Sequence, residues 1–287
     1  MNAGVRYGDI VRTGARHLAE AGIDDAYFEA RLLMRVITGM SAARWIMSEQ
    51  DAAPPVIAER YERMIRERMT RRPLQHILGT TEFYGLEFLS DARALIPRSD
   101  SETVVEAALD LLPPDRPVLV ADLGTGSGCL LAAILANRVE ARGVGVEASP
   151  DAASLARENL SRLGLDVRAT VFEGSWVDWT GWGQVDLVIS NPPYIRSALI
   201  ETLEPEVRHH DPIAALDGGT DGLDAYRELA VLARRKLKPG TPLVLEIGFD
   251  QKEDVEKVLS GAGMVNIGSC PDMSGNDRVV WAIQPRS

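Results

Sequence analysis

Two patterns of hydrophobic and polar residues divide the chain. Between residues 6 and 72, apolar side chains recur at the three- and four-residue spacing of amphipathic helices. We therefore predict a small helical domain over residues 1–75. The next stretch alternates apolar and polar residues and has a turn at Gly85, which predicts a β-hairpin linker over residues 76–96.

From residue 97 to residue 287, short apolar runs alternate with helical stretches. This alternation is typical of an α/β, doubly wound, mostly parallel Rossmann-like sheet, whose ligands bind at the carboxyl ends of the strands. We place one ligand-binding domain over this range. The apolar runs predicted as strands cover residues 118–121, 143–146, 167–172, 185–189, 243–247 and 279–283.

Composition narrows the class of protein. The chain has 287 residues, 45% of them hydrophobic, and 31 basic against 42 acidic residues, for a net charge of -11. Broad binding to nucleic acid phosphates requires a basic surface and is therefore not expected. The two cysteines lack metal-binding spacing, and no run approaches the roughly 18 apolar residues of a membrane span. We expect a soluble, cytoplasmic, monomeric protein without a metal.

The first chemical motif is a glycine-rich turn directly after the first predicted strand. Such a turn lets the backbone approach a ligand closely. Glu147, at the end of the next strand, can accept hydrogen bonds from both hydroxyls of a ribose. The glycine spacing, with Asp122 just before it, suits a nucleoside bearing an amino acid better than a dinucleotide, although a structural turn is the alternative. The predicted cofactor-binding residues of the turn are Gly124, Thr125, Gly126, Ser127 and Gly128.

The second motif is Asn191-Pro192-Pro193-Tyr194, at the carboxyl end of a predicted strand. The Asn191 side-chain oxygen and the Pro192 carbonyl are two acceptors on a backbone restricted by proline. They match the two donors of an –NH2 group. Tyr194 offers a ring on which a planar amide or base can stack. We therefore predict a methyl acceptor of the –NH2 type, with Asn191, Pro192 and Tyr194 catalytic and all four residues binding substrate. A simple Pro-Pro turn is the alternative.

For three further features, the residues alone allow two interpretations each. The pair His209-His210 could suggest a metal site, but adjacent side chains do not converge, and a solvated loop is favoured. Arg98 could close over the active site or be an ordinary loop arginine. Glu246 ends a predicted central strand near the expected pocket, where it could be functional or structural.

Several separated segments resemble the bacterial release factor glutamine methyltransferases. They are residues 72–79, 82–85, 95–98 with Glu102, the glycine turn, Asn191 to Tyr194, and residues 215–219, 221–223, 245–248 and 276–279. The resemblance implies a seven-stranded methyltransferase sheet and S-adenosylmethionine as cofactor, held by the turn, Glu147, Asn191 and Trp176 beside the adenine. It implies methylation of the glutamine N5 in the Gly-Gly-Gln motif of peptide chain release factors. The helical domain would recognise this protein partner.

The chain departs from the family pattern at three places. Glu147 stands where the family usually has aspartate, and Ser99 stands where proline usually follows Ile96-Pro97-Arg98. Gly174-Ser175 replaces the more usual acidic residues before Trp176. Two rival substrates remain. A ribosomal protein glutamine would require the same chemistry, and adenine N6 of DNA is also a planar –NH2. The DNA alternative is disfavoured because residues 1–75 carry a net charge of +2, which leaves -13 on the remaining residues.

Overall fold

The computed structural model describes residues 5–286, and its internal contacts define two compact units. One unit extends to Gly79 and includes Pro205–His210, and the other holds Thr80–Glu204 and the chain from Asp211 onward. The domain boundaries that we predicted after residues 75 and 96 remain predictions.

The first unit is helical, as predicted. Its core consists of fully buried apolar side chains, among them Leu18, Leu33 and Met34. Arg68 on the fourth helix forms ion pairs with Glu29 at 2.6 Å and with Glu206 at 2.8 Å, which ties the short helix from the distant segment into this unit. The helices are α1 Tyr7–Glu20, α2 Ala26–Thr38, α3 Ala42–Ser48, α4 Pro55–Met69, α5 Leu74–Leu78 and α9 Pro205–His210.

The second unit begins with an antiparallel hairpin of β1 Thr80–Phe83 and β2 Leu86–Leu89. Its two turn residues, Tyr84 and Gly85, both have positive φ angles, of 51° and 72°. This conformation matches the twist of a two-residue hairpin.

A seven-stranded sheet with the order β5-β4-β3-β6-β7-β9-β8 forms the centre of the second unit. The first five strands in this order are parallel, and β9 is antiparallel to both β7 and β8. The mostly parallel, doubly wound sheet is thereby confirmed. The strands are β3 Leu119–Leu123, β4 Arg142–Glu147, β5 Ala169–Glu173, β6 Leu187–Ser190, β7 Pro242–Glu246, β8 Val265–Pro271 and β9 Asp277–Ile283.

Helices cover both faces of this sheet. Neighbouring residues of β3 alternate between two apolar clusters, with Val120 in one and Ala121 in the other. The first cluster includes side chains of α6 Glu102–Leu111, α7 Cys129–Asn137 and α8 Pro150–Arg162. The second includes side chains of α10 Asp224–Lys236 and α11 Lys252–Gly261.

The strand order brings the two sequence motifs together. In β3 and β6, which are adjacent and parallel, Asp122 is paired with Ile189. The glycine turn follows β3 and Asn191 follows β6, so both motifs leave the same edge of the sheet. Among residues 5–286, no helix has the length and apolar character needed to cross a membrane.

Candidate active site

The glycine turn after β3 has a backbone that only glycine adopts without strain. Gly124, Gly126 and Gly128 have φ angles of 71°, 54° and 81°. The N–H groups of Gly124 and Thr125 both donate to the Val146 carbonyl, at 2.8 and 3.1 Å. These bonds fix the turn on the neighbouring strand and present its backbone to one side of the sheet edge.

Glu147 supports this turn from the end of β4. Its Oε2 accepts a hydrogen bond from the Gly126 N–H at 2.9 Å, and its Oε1 accepts one from the Ser149 N–H, also at 2.9 Å. A carboxylate has about four lone-pair positions, so each oxygen can accept a further donor from a ligand. The half-buried side chain therefore organises the turn and remains able to accept ribose hydroxyls.

Asp122 lies fully buried beneath the turn. Its Oδ2 accepts a hydrogen bond from the Thr125 hydroxyl at 2.6 Å, whereas Oδ1 has no hydrogen-bond partner among residues 5–286. Burial raises the pKa of Asp122 to about 7, because its charged form is poorly solvated.

A cavity of about 290 Å³ opens between the two motifs. Both the glycine turn and the start of the Asn-Pro-Pro-Tyr motif line it, together with residues from β4 and from the loop after β5. Three predicted site residues, Gly128, Pro192 and Tyr194, do not line it. The predicted residues that do are Gly124, Thr125, Gly126, Ser127, Glu147, Trp176, Asn191 and Pro193.

Trp176 forms one wall of this cavity. Its indole Nε1–H donates to Glu228 Oε2 at 2.6 Å, which fixes the ring. A Cβ placed on Gly124 would lie 3.4 Å from the Trp176 ring atom Cζ3. The ring thus approaches the glycine turn closely, as an aromatic surface suited to a flat base.

The Asn191 side-chain amide is oriented by Ser101, a residue that belongs to neither sequence motif. Its Nδ2 donates to the Ser101 hydroxyl at 3.5 Å. The side-chain oxygen is then the atom that can accept from a ligand in the cavity. The preceding residue, Ser190, donates its hydroxyl to the Leu123 carbonyl at 2.6 Å and so connects the ends of the two strands.

Tyr194 lies beside the end of β7, the strand adjacent to β6 in the sheet. Its hydroxyl donates to Glu246 Oε1 at 3.5 Å, and its backbone carbonyl accepts from Gln251 Nε2 at 3.0 Å. Burial raises the pKa of the Tyr194 hydroxyl above its ordinary value, and the Glu246 charge raises it further. The hydroxyl therefore remains protonated at neutral pH.

Arg98 also lines the cavity, and its guanidinium is paired with Asp211 at 2.9 Å. The Asp211 side chain is fully buried, and burial raises its pKa to about 6 even though Arg98 lowers it. This pair joins the loop before α6 to the segment that supplies Pro212, Ala214 and Ala215 to the cavity wall.

The adjacent histidines lie in a short helix and not in the solvated loop that we favoured from the sequence. His209 and His210 lie in α9, within the helical unit. Throughout residues 5–286, no group of three or more histidine, cysteine, aspartate or glutamate side chains is arranged to hold a metal ion.

Comparisons with known proteins place this site in context. Residues 9–79 match the family described as PrmC N-terminal domain, and residues 103–206 match the Methyltransferase small domain. The release factor glutamine methyltransferase of Caulobacter vibrioides is 40% identical over 270 residues, which covers 93% of this chain and 92% of the relative. That of Geobacter sulfurreducens is 41% identical over 264 residues, or 92% of each chain.

A solved structure is similar in fold alone. The crystal structure of a methyltransferase from Pyrococcus furiosus has a TM-score of 0.51 at 16% identity, over 70% of this chain and 90% of that chain. Sequence and fold together indicate that the second unit carries a methyltransferase domain.

Proposed function

We propose the activity from one premise: this chain belongs to the family of release factor glutamine methyltransferases. On that basis the enzyme transfers a methyl group from S-adenosylmethionine to the side-chain amide nitrogen, N5, of the glutamine in the Gly-Gly-Gln motif of peptide chain release factors. It acts as a monomer in the cytoplasm.

The observation that carries this proposal is the shared cavity. Its wall includes both the glycine turn after β3 and Asn191 after β6. A nucleoside held by the turn and an amide held by Asn191 would therefore face each other without crossing the sheet. Bringing the two reactants together in this way supplies much of the acceleration, because an amide nitrogen is a poor nucleophile.

The residues present fit S-adenosylmethionine. The turn carries no side chains at Gly124 and Gly126, so its backbone is open to a ligand. Glu147 has acceptor capacity for the two ribose hydroxyls, and Trp176 offers an aromatic surface for the adenine. When bound, S-adenosylmethionine supplies a methyl group activated by a positively charged sulfur.

The chain itself acts on the amide. We assign one N–H donor of the glutamine side chain to the Asn191 side-chain oxygen, on the cavity wall, and the other to the carbonyl of Pro192, the next residue, which is outside that wall. With both hydrogens held, the nitrogen lone pair points away from both acceptors. Electron density at the nitrogen rises as these two hydrogens are held. The nitrogen releases one proton after the new N–C bond forms, and we assign this proton to solvent, since neither acceptor is a strong base.

The decisive experiment is mass spectrometry of a purified release factor after incubation with the enzyme and S-adenosylmethionine. The expected product carries one added methyl on the Gly-Gly-Gln glutamine. Replacing that glutamine with asparagine in the release factor should abolish the gain. Methylation of a ribosomal protein or of adenine in DNA, with none on the release factor, would contradict the proposed substrate.

Asn191→Ala tests the acceptor assignment. It should reduce transfer by at least about a hundredfold, because the amide loses one of two positioned acceptors. S-adenosylmethionine binding, measured by calorimetry, should largely survive. Asn137→Ala, at the end of α7, is the matched control and should keep wild-type activity. An Asn191→Ala enzyme with wild-type turnover would refute the role of this residue.

A further inference from the structure

Glu246 is a buried carboxylate next to the proposed acceptor site. It ends β7, whose Leu245 is paired with Ser190 immediately before Asn191. Only 2% of its surface is exposed. It does not line the cavity, so it reaches a bound amide only through other side chains.

Two hydroxyl groups connect Glu246 to the substrate motif. The Tyr194 hydroxyl donates to Oε1 at 3.5 Å. The Ser101 hydroxyl neighbours Glu246 and lowers its pKa, and it donates to no other group among residues 5–286. Glu246 Oε2 has no hydrogen-bond partner in the same part of the chain, so it is the acceptor left for this hydroxyl. Ser101 is itself buried, and its oxygen accepts from Asn191 Nδ2 at 3.5 Å. A row of polar groups thus leads from Glu246 through Ser101 to Asn191.

The direction of hydrogen bonding along this row depends on whether Glu246, at its buried end, is ionised. An ionised carboxylate can only accept, so a hydroxyl that bonds to it, as Tyr194 does and as Ser101 is placed to do, must be the donor. The Ser101 oxygen then has only lone pairs to offer Asn191, which selects the Nδ2–H of that amide. With Nδ2 used in this way, the Asn191 Oδ1 is the atom presented to the substrate.

We propose that Glu246, as an obligate acceptor, sets the orientation of the Asn191 amide through Ser101 and is thus a positioning residue for methyl transfer. This inference rests on the proposed function, because it assumes that Asn191 Oδ1 accepts from the glutamine –NH2. A protonated Glu246 can donate to Ser101, and the Ser101 hydroxyl is then free to donate to Asn191. The Asn191 amide can turn over so that Oδ1 accepts from Ser101, and the donor Nδ2 then faces the substrate in place of Oδ1.

The carboxyl group of Glu246 changes its protonation state near neutral pH. Burial raises the pKa of Glu246 to about 7, against the lowering effects of Ser101 and Arg278. The charged and titratable groups around it are Arg278 on β9, Asp100 before α6, Cys129 on α7, and Tyr194 and Tyr226. Burial raises the pKa of Cys129 to about 12 and raises those of both tyrosines above their ordinary value, so these groups stay neutral through this range. Arg278 stays charged.

The test measures single-turnover methylation of the release factor at saturating S-adenosylmethionine, between about pH 5.5 and 8.5. The wild-type rate should fall as the pH drops through about 7. Glu246→Gln can both accept and donate, so its rate should be about tenfold lower at pH 8, the cost of one misdirected hydrogen bond. It should also lose the fall near pH 7. At each pH, the wild type and Glu246→Gln should bind the cofactor with the same affinity in calorimetry. This comparison separates Glu246 from Asp122, whose pKa is also raised to about 7 but which lies beneath the cofactor-binding turn in both proteins.

Ser101 provides an independent variant that leaves Glu246 in place. Ser101→Ala removes the link and should reproduce both effects of Glu246→Gln, whereas Ser101→Thr keeps a hydroxyl and should restore the rate and its pH dependence. The inference is overturned if Glu246→Gln keeps the wild-type rate, or if it loses rate while keeping the fall near pH 7, which is the result of a purely structural role. A wild-type enzyme that transfers no methyl group at any pH would instead overturn the proposed function, and this inference with it.

Discussion

Substituting Glu147 with glutamine perturbs the cofactor site with almost no change in shape. The carboxylate accepts one backbone N–H on each oxygen, from Gly126 and from Ser149, both at 2.9 Å. Glutamine offers one oxygen and one NH2 group, so one of these N–H donors would face another donor. An unsatisfied backbone donor of this kind costs about 1–3 kcal/mol.

The same substitution weakens the expected contact with the ribose. Hydrogen bonds to a charged acceptor are roughly twice as strong as neutral ones. We therefore expect Glu147→Gln to raise the dissociation constant of S-adenosylmethionine about 10- to 100-fold, equivalent to about 1.4–2.7 kcal/mol. Glu147→Asp keeps the charge but shortens the reach, and its affinity should fall between those of Glu147→Gln and the wild type.

Isothermal titration calorimetry with S-adenosylhomocysteine and with S-adenosylmethionine measures this effect. Thermal unfolding without ligand reports separately on the turn. Glu173→Gln is the matched control, because Glu173 is paired with Glu147 in the sheet but is exposed and lies outside the cavity. Its ion pair with Arg157 is also exposed and contributes little. Equal affinities in Glu147→Gln and Glu173→Gln would refute the assignment of Glu147.

Two further substitutions test the packing around the site. A Cβ on Gly145 would lie 2.8 Å from Thr125 Cγ2 in the glycine turn. Gly145→Ala should therefore lower the free energy of unfolding by about 1–3 kcal/mol in denaturant titrations and weaken cofactor binding in calorimetry. Gly261→Ala is the control, because its Cβ meets open space, and it should have neither effect. Arg98→Gln should destabilise the protein by about 1 kcal/mol at pH 8 but not at pH 4.5. Asp211 is ionised only above its pKa of about 6, and only then does it need the half-exposed Arg98 guanidinium as a partner. Equal losses of stability at both pH values in denaturant titrations would contradict this.

The central strands β3, β6 and β7 could be predicted because they are buried on both faces. Continuous apolar runs such as 243–247 are recognisable without knowledge of the fold. The strand β8, Val265–Pro271, was not predicted. It lies at the edge of the sheet, none of its residues is fully buried, and Asn266, Gly268 and Ser269 interrupt its apolar pattern. An edge strand gains its partner from the tertiary fold rather than from its own composition.

The site could be predicted where its residues are consecutive. The glycine turn and the Asn-Pro-Pro-Tyr motif each place several groups by local backbone geometry alone. Ser101 lies 90 residues before Asn191, and Asp211 lies 113 residues after Arg98. Tertiary packing alone brings such pairs together, and serine and aspartate are too common to be informative in isolation. The sequence offered two signals of these distant partners, namely the position of Glu246 at a strand end and Arg98 in the segment of residues 95–98.

The ionisation of the buried carboxyl groups opposes stability at neutral pH. Asp122 and Glu246 both have pKa values raised to about 7 by burial, and Asp211 has one raised to about 6. An acid whose pKa is higher in the folded than in the unfolded state binds more protons when folded, so the stability that its neutral form provides is lost as pH rises from about 4 toward 7. Ionisation of Glu246 is nevertheless what the proposed orientation of Asn191 requires. The end of β7 thus holds an acidic group whose functional form is the less stable one in the fold, and the nearby cation Arg278 offsets part of that cost by lowering the pKa of Glu246.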